Sequence, residues 1–136
     1  MVGLAAATIA GCTDVVPVAP GPPAQAADAV IGAYGMATVD GYPLPMQIGY
    51  EGSTAVDALS GTIQLEANGN FRNILTYRTR GAGGVKIISD TLSGTFLHFE
   101  NVLLLEPKDG SAPSFLDITD EKTLTSWDYD VIVYRR

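Results

Sequence analysis

Gly61-Thr62-Ile63-Gln64-Leu65-Glu66-Ala67-Asn68-Gly69-Asn70-Phe71-Arg72-Asn73-Ile74-Leu75-Thr76-Tyr77 is the stretch whose reading decides the fold. Ile63 and Leu65 alternate with Thr62, Gln64 and Glu66, the period-two pattern of a strand buried on one face. Ala67-Asn68-Gly69 then reverses the chain. A two-residue Asn68-Gly69 loop would put Leu65 on the face of Arg72 and Glu66 on that of Phe71, which scatters the apolar residues. A three-residue loop with Gly69 in the left-handed region instead pairs Leu65 with Phe71, Gln64 with Arg72 and Gly61 with Leu75, and this is the expected register. The second strand is expected to reach about Thr79. The product is an antiparallel sheet with one wet face, and no residue in it carries recognisable chemistry.

Toward the N-terminus, Ala33 to Val39 sets Tyr34, Met36 and Thr38 against Ala33, Gly35 and Ala37 and ends at the turn dipeptide Asp40-Gly41. Pro43-Leu44-Pro45 interrupts pairing, Met46 to Tyr50 reads as a short edge strand, and Ala55 to Leu59 has no decisive pattern. Toward the C-terminus, Gly81-Ala82-Gly83-Gly84 has the glycine content of a phosphate-cradling loop, but no helix follows to present its N-terminus, so a hairpin tip is expected. Strands are expected at Val85 to Asp90, Gly94 to Glu100, Phe115 to Ile118, Lys122 to Ser126 and Asp130 to Tyr134. The continuous apolar run Val102 to Leu105 suggests a strand covered on both faces. No stretch of ten residues has a capped helical period. The fold class is therefore all-β, with about eight to ten short antiparallel strands in a sandwich or a small up-and-down meander barrel. The barrel is the expectation, because closure removes exposed edges.

With 136 residues, 46% hydrophobic and 17% charged, the chain fits one domain and a tail. A net charge of -7 leaves no basic surplus for a phosphate backbone, so nucleic acid is not expected as a partner. The single cysteine, Cys12, permits no intramolecular disulfide and no thiolate zinc site. It closes the tetrapeptide Ile9-Ala10-Gly11-Cys12 after a run of small apolar residues, and this resembles the bacterial lipobox, whose cysteine is acylated and becomes the first mature residue. The run lacks the basic start of a signal peptide, and an Ala-rich first strand with a buried cysteine is the other reading. Pro17, Pro20, Pro22 and Pro23 follow, and proline-rich chain extends about 3 Å per residue, as a tether would. The expected organisation is a leader over 1–11, a lipidated cysteine and tether over 12–29, and a barrel over 30–136. Attachment to a membrane through Cys12, in the cell envelope, follows from that reading.

The succession Tyr34-Gly35-Met36, Val39-Asp40-Gly41, Leu44-Pro45, Ser60 to Leu65, Asn68 to Phe71, Ser93-Gly94-Thr95-Phe96, Thr123-Leu124-Thr125 and Tyr134-Arg135-Arg136 resembles bacterial lipocalin-like domain proteins. These are often lipoproteins. The resemblance implies a small up-and-down β-barrel without an assigned activity, and the absence of a Gly-x-Trp motif from the first strand sets it apart from full lipocalins.

For a site, Tyr34, Phe71, Tyr77, Phe96 and Trp127 are candidate walls of a pocket for a small apolar ligand, with Phe99 and Tyr129 in the same aromatic set; a filled core is the competing reading. An envelope protein is the alternative partner. Ala33, Gly35, Ala37 and Gly61 favour a cavity, whereas Ile63, Leu65, Leu75, Leu103 and Leu105 would fill it. His98 shares a strand face with Glu100 and could form a base dyad, but no nucleophile accompanies it, so a non-catalytic protein is expected. Asp117, Asp120, Glu121, Asp128 and Asp130 do not have calcium-loop spacing, and no metal or cofactor is expected.

Overall fold

The structure, a computed structural model, describes residues 29–136. The expected leader, Cys12 and the tether through residue 28 lie outside the described residues. In the hairpin, Leu65 pairs with Phe71, Gln64 with Arg72 and Gly61 with Leu75. Gly69 has φ +88°, and its N–H donates to the Glu66 carbonyl at 3.0 Å, closing the three-residue loop. Asn68 adds a side-chain acceptor for the Asn70 N–H at 3.0 Å.

Ten strands occur among the described residues: β1 Gly32–Val39, β2 Tyr42–Pro43, β3 Met46–Glu51, β4 Thr54–Leu65, β5 Asn70–Gly81, β6 Gly84–Phe99, β7 Val102–Pro107, β8 Ser114–Asp120, β9 Thr123–Ser126 and β10 Ile132–Arg135. Eight of them close an antiparallel up-and-down barrel in the order β1, β4, β5, β6, β7, β8, β9, β10 and back to β1. β2 and β3 are short additions on β1 and β4. Closure rests on β1. Its first half, Gly32 to Gly35, pairs with β4, and its second half, from Gly35 to Val39, pairs with β10 across an irregularity between Met36 and Thr38.

One end of the barrel is filled. Tyr34, Ile63, Leu65, Phe71, Phe96, Leu103, Leu105, Leu116, Leu124 and Tyr134 form a continuous buried cluster with Val30. The Tyr34 hydroxyl donates to the Val30 carbonyl at 2.8 Å. Arg136 lies over the Tyr34 ring, 5.2 Å from its centroid, and its guanidinium donates to the carbonyls of Ala29, Ile31 and Glu121. This end is therefore sealed by the first and last described residues together.

Several expectations are corrected. Val85 to Asp90 and Gly94 to Glu100 are not two strands but one continuous strand, β6, because all twelve residues of β5 find a partner on it without a bulge. Ala55 to Leu59 is the first half of β4, its alternation masked by an irregularity between Ala58 and Ser60. The run Val102 to Leu105 is not covered on both faces: Leu103 and Leu105 point inward and are buried, while Val102 and Leu104 lie only partly covered outside. Ala33 and Gly35 are on the outer face and give the interior no room, and the space left by Gly61 is taken by Met36, whose Cε would lie 2.6 Å from a Cβ there.

Gly94 is a tight point in the wall, because a Cβ there would collide with the main-chain carbonyl of Glu106 on β7. Gly94→Ala is expected to destabilise the fold by about 2 kcal/mol, since backbone rather than a flexible side chain must move. Gly83→Ala at the open hairpin tip, where a Cβ meets nothing within 4 Å, should stay within roughly 0.5 kcal/mol of the parent in the same urea titration.

Candidate ligand site at the open end of the barrel

The end opposite the sealed one is open. Interior residues near the finish of β1 and the start of β10 surround a cavity of about 260 Å³, with walls from Met36, Val39, Ala58, Leu75 and Ile132 and a cover from Ile48 on β3. Asn73, Ser114, Ser126 and Tyr134 supply its polar atoms, and Asp128, Tyr129 and Asp130 form its rim. A second depression of about 290 Å³, lined by Ile48, Tyr50, Val56, Leu75 and Tyr77, adjoins it through Ile48 and Leu75. The first alone lies just below the usual range for small-ligand pockets, and the two together fall within it.

Tyr134 is the most telling group in this cavity. It is only 5% exposed. Burial alone pushes its pKa up to about 12, so the phenol stays protonated and keeps both a donor and acceptor capacity. At the rim, the Val131 N–H donates to Asp40 Oδ1 at 2.8 Å and the Asp40 N–H donates to the Val131 carbonyl at 2.7 Å, which fixes the β9–β10 loop against the turn after β1. Burial, and then the neighbouring Asp40 carboxylate, raise the Asp130 pKa above the ordinary carboxylate range.

The aromatic candidates separate into three groups. Tyr34, Phe71 and Phe96 belong to the filled core and do not face the cavity. Tyr77 lines the adjoining depression, with its hydroxyl 3.1 Å from Asp90 Oδ2. Trp127 is 61% exposed beside the rim, and Phe99 and Tyr129 are exposed as well. The cavity walls that matter are aliphatic, and sequence alternation alone could not distinguish Leu75 or Ile132 from core residues. The His98 ring nitrogen Nε2 is 2.9 Å from the main-chain carbonyl of Glu100, so it carries the hydrogen and does not meet the Glu100 carboxylate. His98 Nδ1 is buried without a partner. Among the described residues, no three His, Cys, Asp or Glu side chains come together where they could hold a metal ion.

A larger depression of about 700 Å³ lies at the outer wall near Gly94, lined by Glu66, Arg72, Ser93, Thr95, Glu106 and Lys108. Charges of both signs line it beside Phe71 and Pro107, and it has no buried polar group aimed inward, so the open-end cavity is the stronger candidate.

Above the cavity, β4 and β5 rise beyond the closed ring and are held on the outside by an ion pair. Asp57, 3% exposed, accepts from Arg80 Nε at 2.6 Å, from Arg80 through Oδ1 at 2.8 Å and from Arg78 Nε at 2.9 Å. Gln47 on β3 accepts a further hydrogen bond from Arg80 at 3.3 Å. This bidentate arrangement ties β3, β4 and β5 into the wall that carries Ile48, Val56 and Tyr77.

Compared with models of known protein families, the chain matches none, and no curated protein matches it in sequence.

The Asp57 contacts imply a defined acid response. Hydrogen bonding to Arg80, opposed by burial and aided by Arg78, lowers the Asp57 pKa from 3.8 to about 2. A depressed carboxylate contributes stability that is present above its unfolded value and is lost as pH falls through the folded one. The stability difference between the parent and Asp57→Asn is therefore expected to be largest above about pH 4 and to shrink toward pH 2, as read from urea midpoints at several pH values.

Proposed function

We propose that this protein is a non-catalytic binding module for a small, mainly apolar ligand, held at a membrane of the cell envelope through a lipidated Cys12. The observation that carries the reading is the open-end cavity, with aliphatic walls and the buried Tyr134 side chain in its lining. A ligand that fits this chemistry has an apolar body and one neutral polar group for Tyr134 or Ser126. Asp128 and Asp130 at the rim disfavour an anionic head, since two carboxylates repel a third. The lipocalin-like character and the lipoprotein character rest on the sequence resemblance. The contact of His98 with a main-chain carbonyl rather than with the Glu100 carboxylate supports the non-catalytic reading over a barrel enzyme.

A protein partner in the envelope is the second reading, and a specific feature favours it. Leu97 pairs with Leu104, and Leu104 pairs with Phe115, so a row of apolar side chains crosses β6, β7 and β8 on the outer wall, with Leu97 and Phe115 each at least half exposed.

Native mass spectrometry of the protein purified from its own host is expected to show a stoichiometric small-molecule mass, and Ile132→Trp, which fills the cavity, should abolish its retention. A persistently empty parent chain refutes the pocket reading. Membrane fractionation tests the anchor separately: Cys12→Ser should move the full-length protein from the membrane pellet to the supernatant. A parent chain already in the supernatant contradicts lipidation.

A further inference from the structure

β6 is sixteen residues long, but β7 covers only its second half. Pairing with β7 begins at Gly94 opposite Pro107, and the Lys108 N–H to Ser93 carbonyl bond, 2.9 Å, is the last main-chain contact on that side. From Gly84 to Leu92 the only strand paired with it among the described residues is β5. Nine residues thus present an open edge of alternating main-chain donors and acceptors.

Natural edges are usually protected by proline, by bulges or by several charges. This one has none of the first two: the β5–β6 ladder runs without a register shift, and Gly84-Val85-Lys86-Ile87-Ile88-Ser89-Asp90-Thr91-Leu92 contains no proline. Val85 and Ile87 stand 64% and 67% exposed on its outer face, although they are good strand formers with large apolar areas. Its two charges are arranged symmetrically, since Lys86 and Asp90 lie two positions either side of Ile88 and share its face.

We propose that two copies of the protein pair edge to edge through Gly84 to Leu92, antiparallel about a two-fold axis at Ile88. In that register Lys86 of each copy lies opposite Asp90 of the other, so one isologous contact contains the same ion pair twice. Ile87 of one copy faces Ser89 of the other and lies diagonal to the second Ile87, which removes the most exposed apolar groups of the edge from water. The Tyr77 hydroxyl holds Asp90 through Oδ2, leaving Oδ1 for the second copy. Like-charge registers are excluded by the same geometry, because moving the axis by two residues either way takes Lys86 away from Asp90. The two barrels then share one continuous sheet, with both open-end cavities on the same side of it.

Sedimentation velocity of the full-length Cys12→Ser chain, from roughly 1 µM to roughly 0.1 mM, tests the pairing over a hundredfold range. A concentration-dependent dimer is expected. Lys86→Asp and Asp90→Lys should each weaken it by about tenfold or more, because each replaces two attractions by two repulsions. Mixing the two variants one to one, or combining both reversals in one chain, should restore the dimer, and this recovery also shows that the variants are folded. Amide exchange at 84–92 should slow as concentration rises. A monomer over the whole range, or a dimer indifferent to both reversals, overturns the proposal. So does exchange at 84–92 that is slow in a chain sedimenting as a monomer, since the edge is then protected without a second copy.

Discussion

The whole barrel depends on β1 serving two neighbours at once. Eight residues hydrogen-bond to β4 with their first half and to β10 with their second, meeting at Gly35, which pairs with both Thr62 and Arg135. Such a handover requires β1 to cross the gap obliquely, and the irregularity between Met36 and Thr38 supplies the change of direction. It also returns Val39, rather than Thr38, to the buried side, so the interior stays apolar up to the rim. Without this strand the remaining seven would form an open sheet with two bare edges and an uncovered apolar face.

The hairpin at Leu65 and Phe71 was legible because a single slip in register would have moved every side chain to the wrong face. The Asp40-Gly41 turn was legible for a local reason: both residues have positive φ, 51° and 84°, and Asp followed by Gly is the pair that tolerates this. The union of Val85 to Asp90 with Gly94 to Glu100 was hidden, because Thr91 to Ser93 carries no strand signal of its own and is held in line by its partner β5. The cavity was hidden for a different reason. Whether Met36 fills the space of Gly61 or leaves it empty is decided by a contact across two strands, and the composition of either strand is the same in both cases. The lone acid Asp57 and the alternating Arg78 and Arg80 were visible as charges, but their convergence required the β4–β5 register to be known through its irregularity.

The same lengthening of β4, β5 and β6 produces both features that set this barrel apart from a minimal one. Carried past the ring, these strands provide Val56 and Tyr77 as an extra apolar wall above the cavity. Carried past the end of β7, β6 loses its second neighbour. A shorter β6 would have a protected edge and a shallower cavity. The Asp57 cluster stands on the side of this extension that faces away from the cavity, so it stiffens the wall without placing charge inside it.

The direction of β1 has a practical consequence. The chain enters at the end sealed by Val30, Tyr34 and Arg136 and climbs the full height of the wall before reaching Asp40 at the rim. Eight residues of tilted strand span roughly 20 Å. A solid support, a dye or another folded unit joined directly at Ala29 would therefore start from the far end of the barrel, that distance from the cavity. A probe molecule would approach the immobilised barrel from the free side, unobstructed by the attachment.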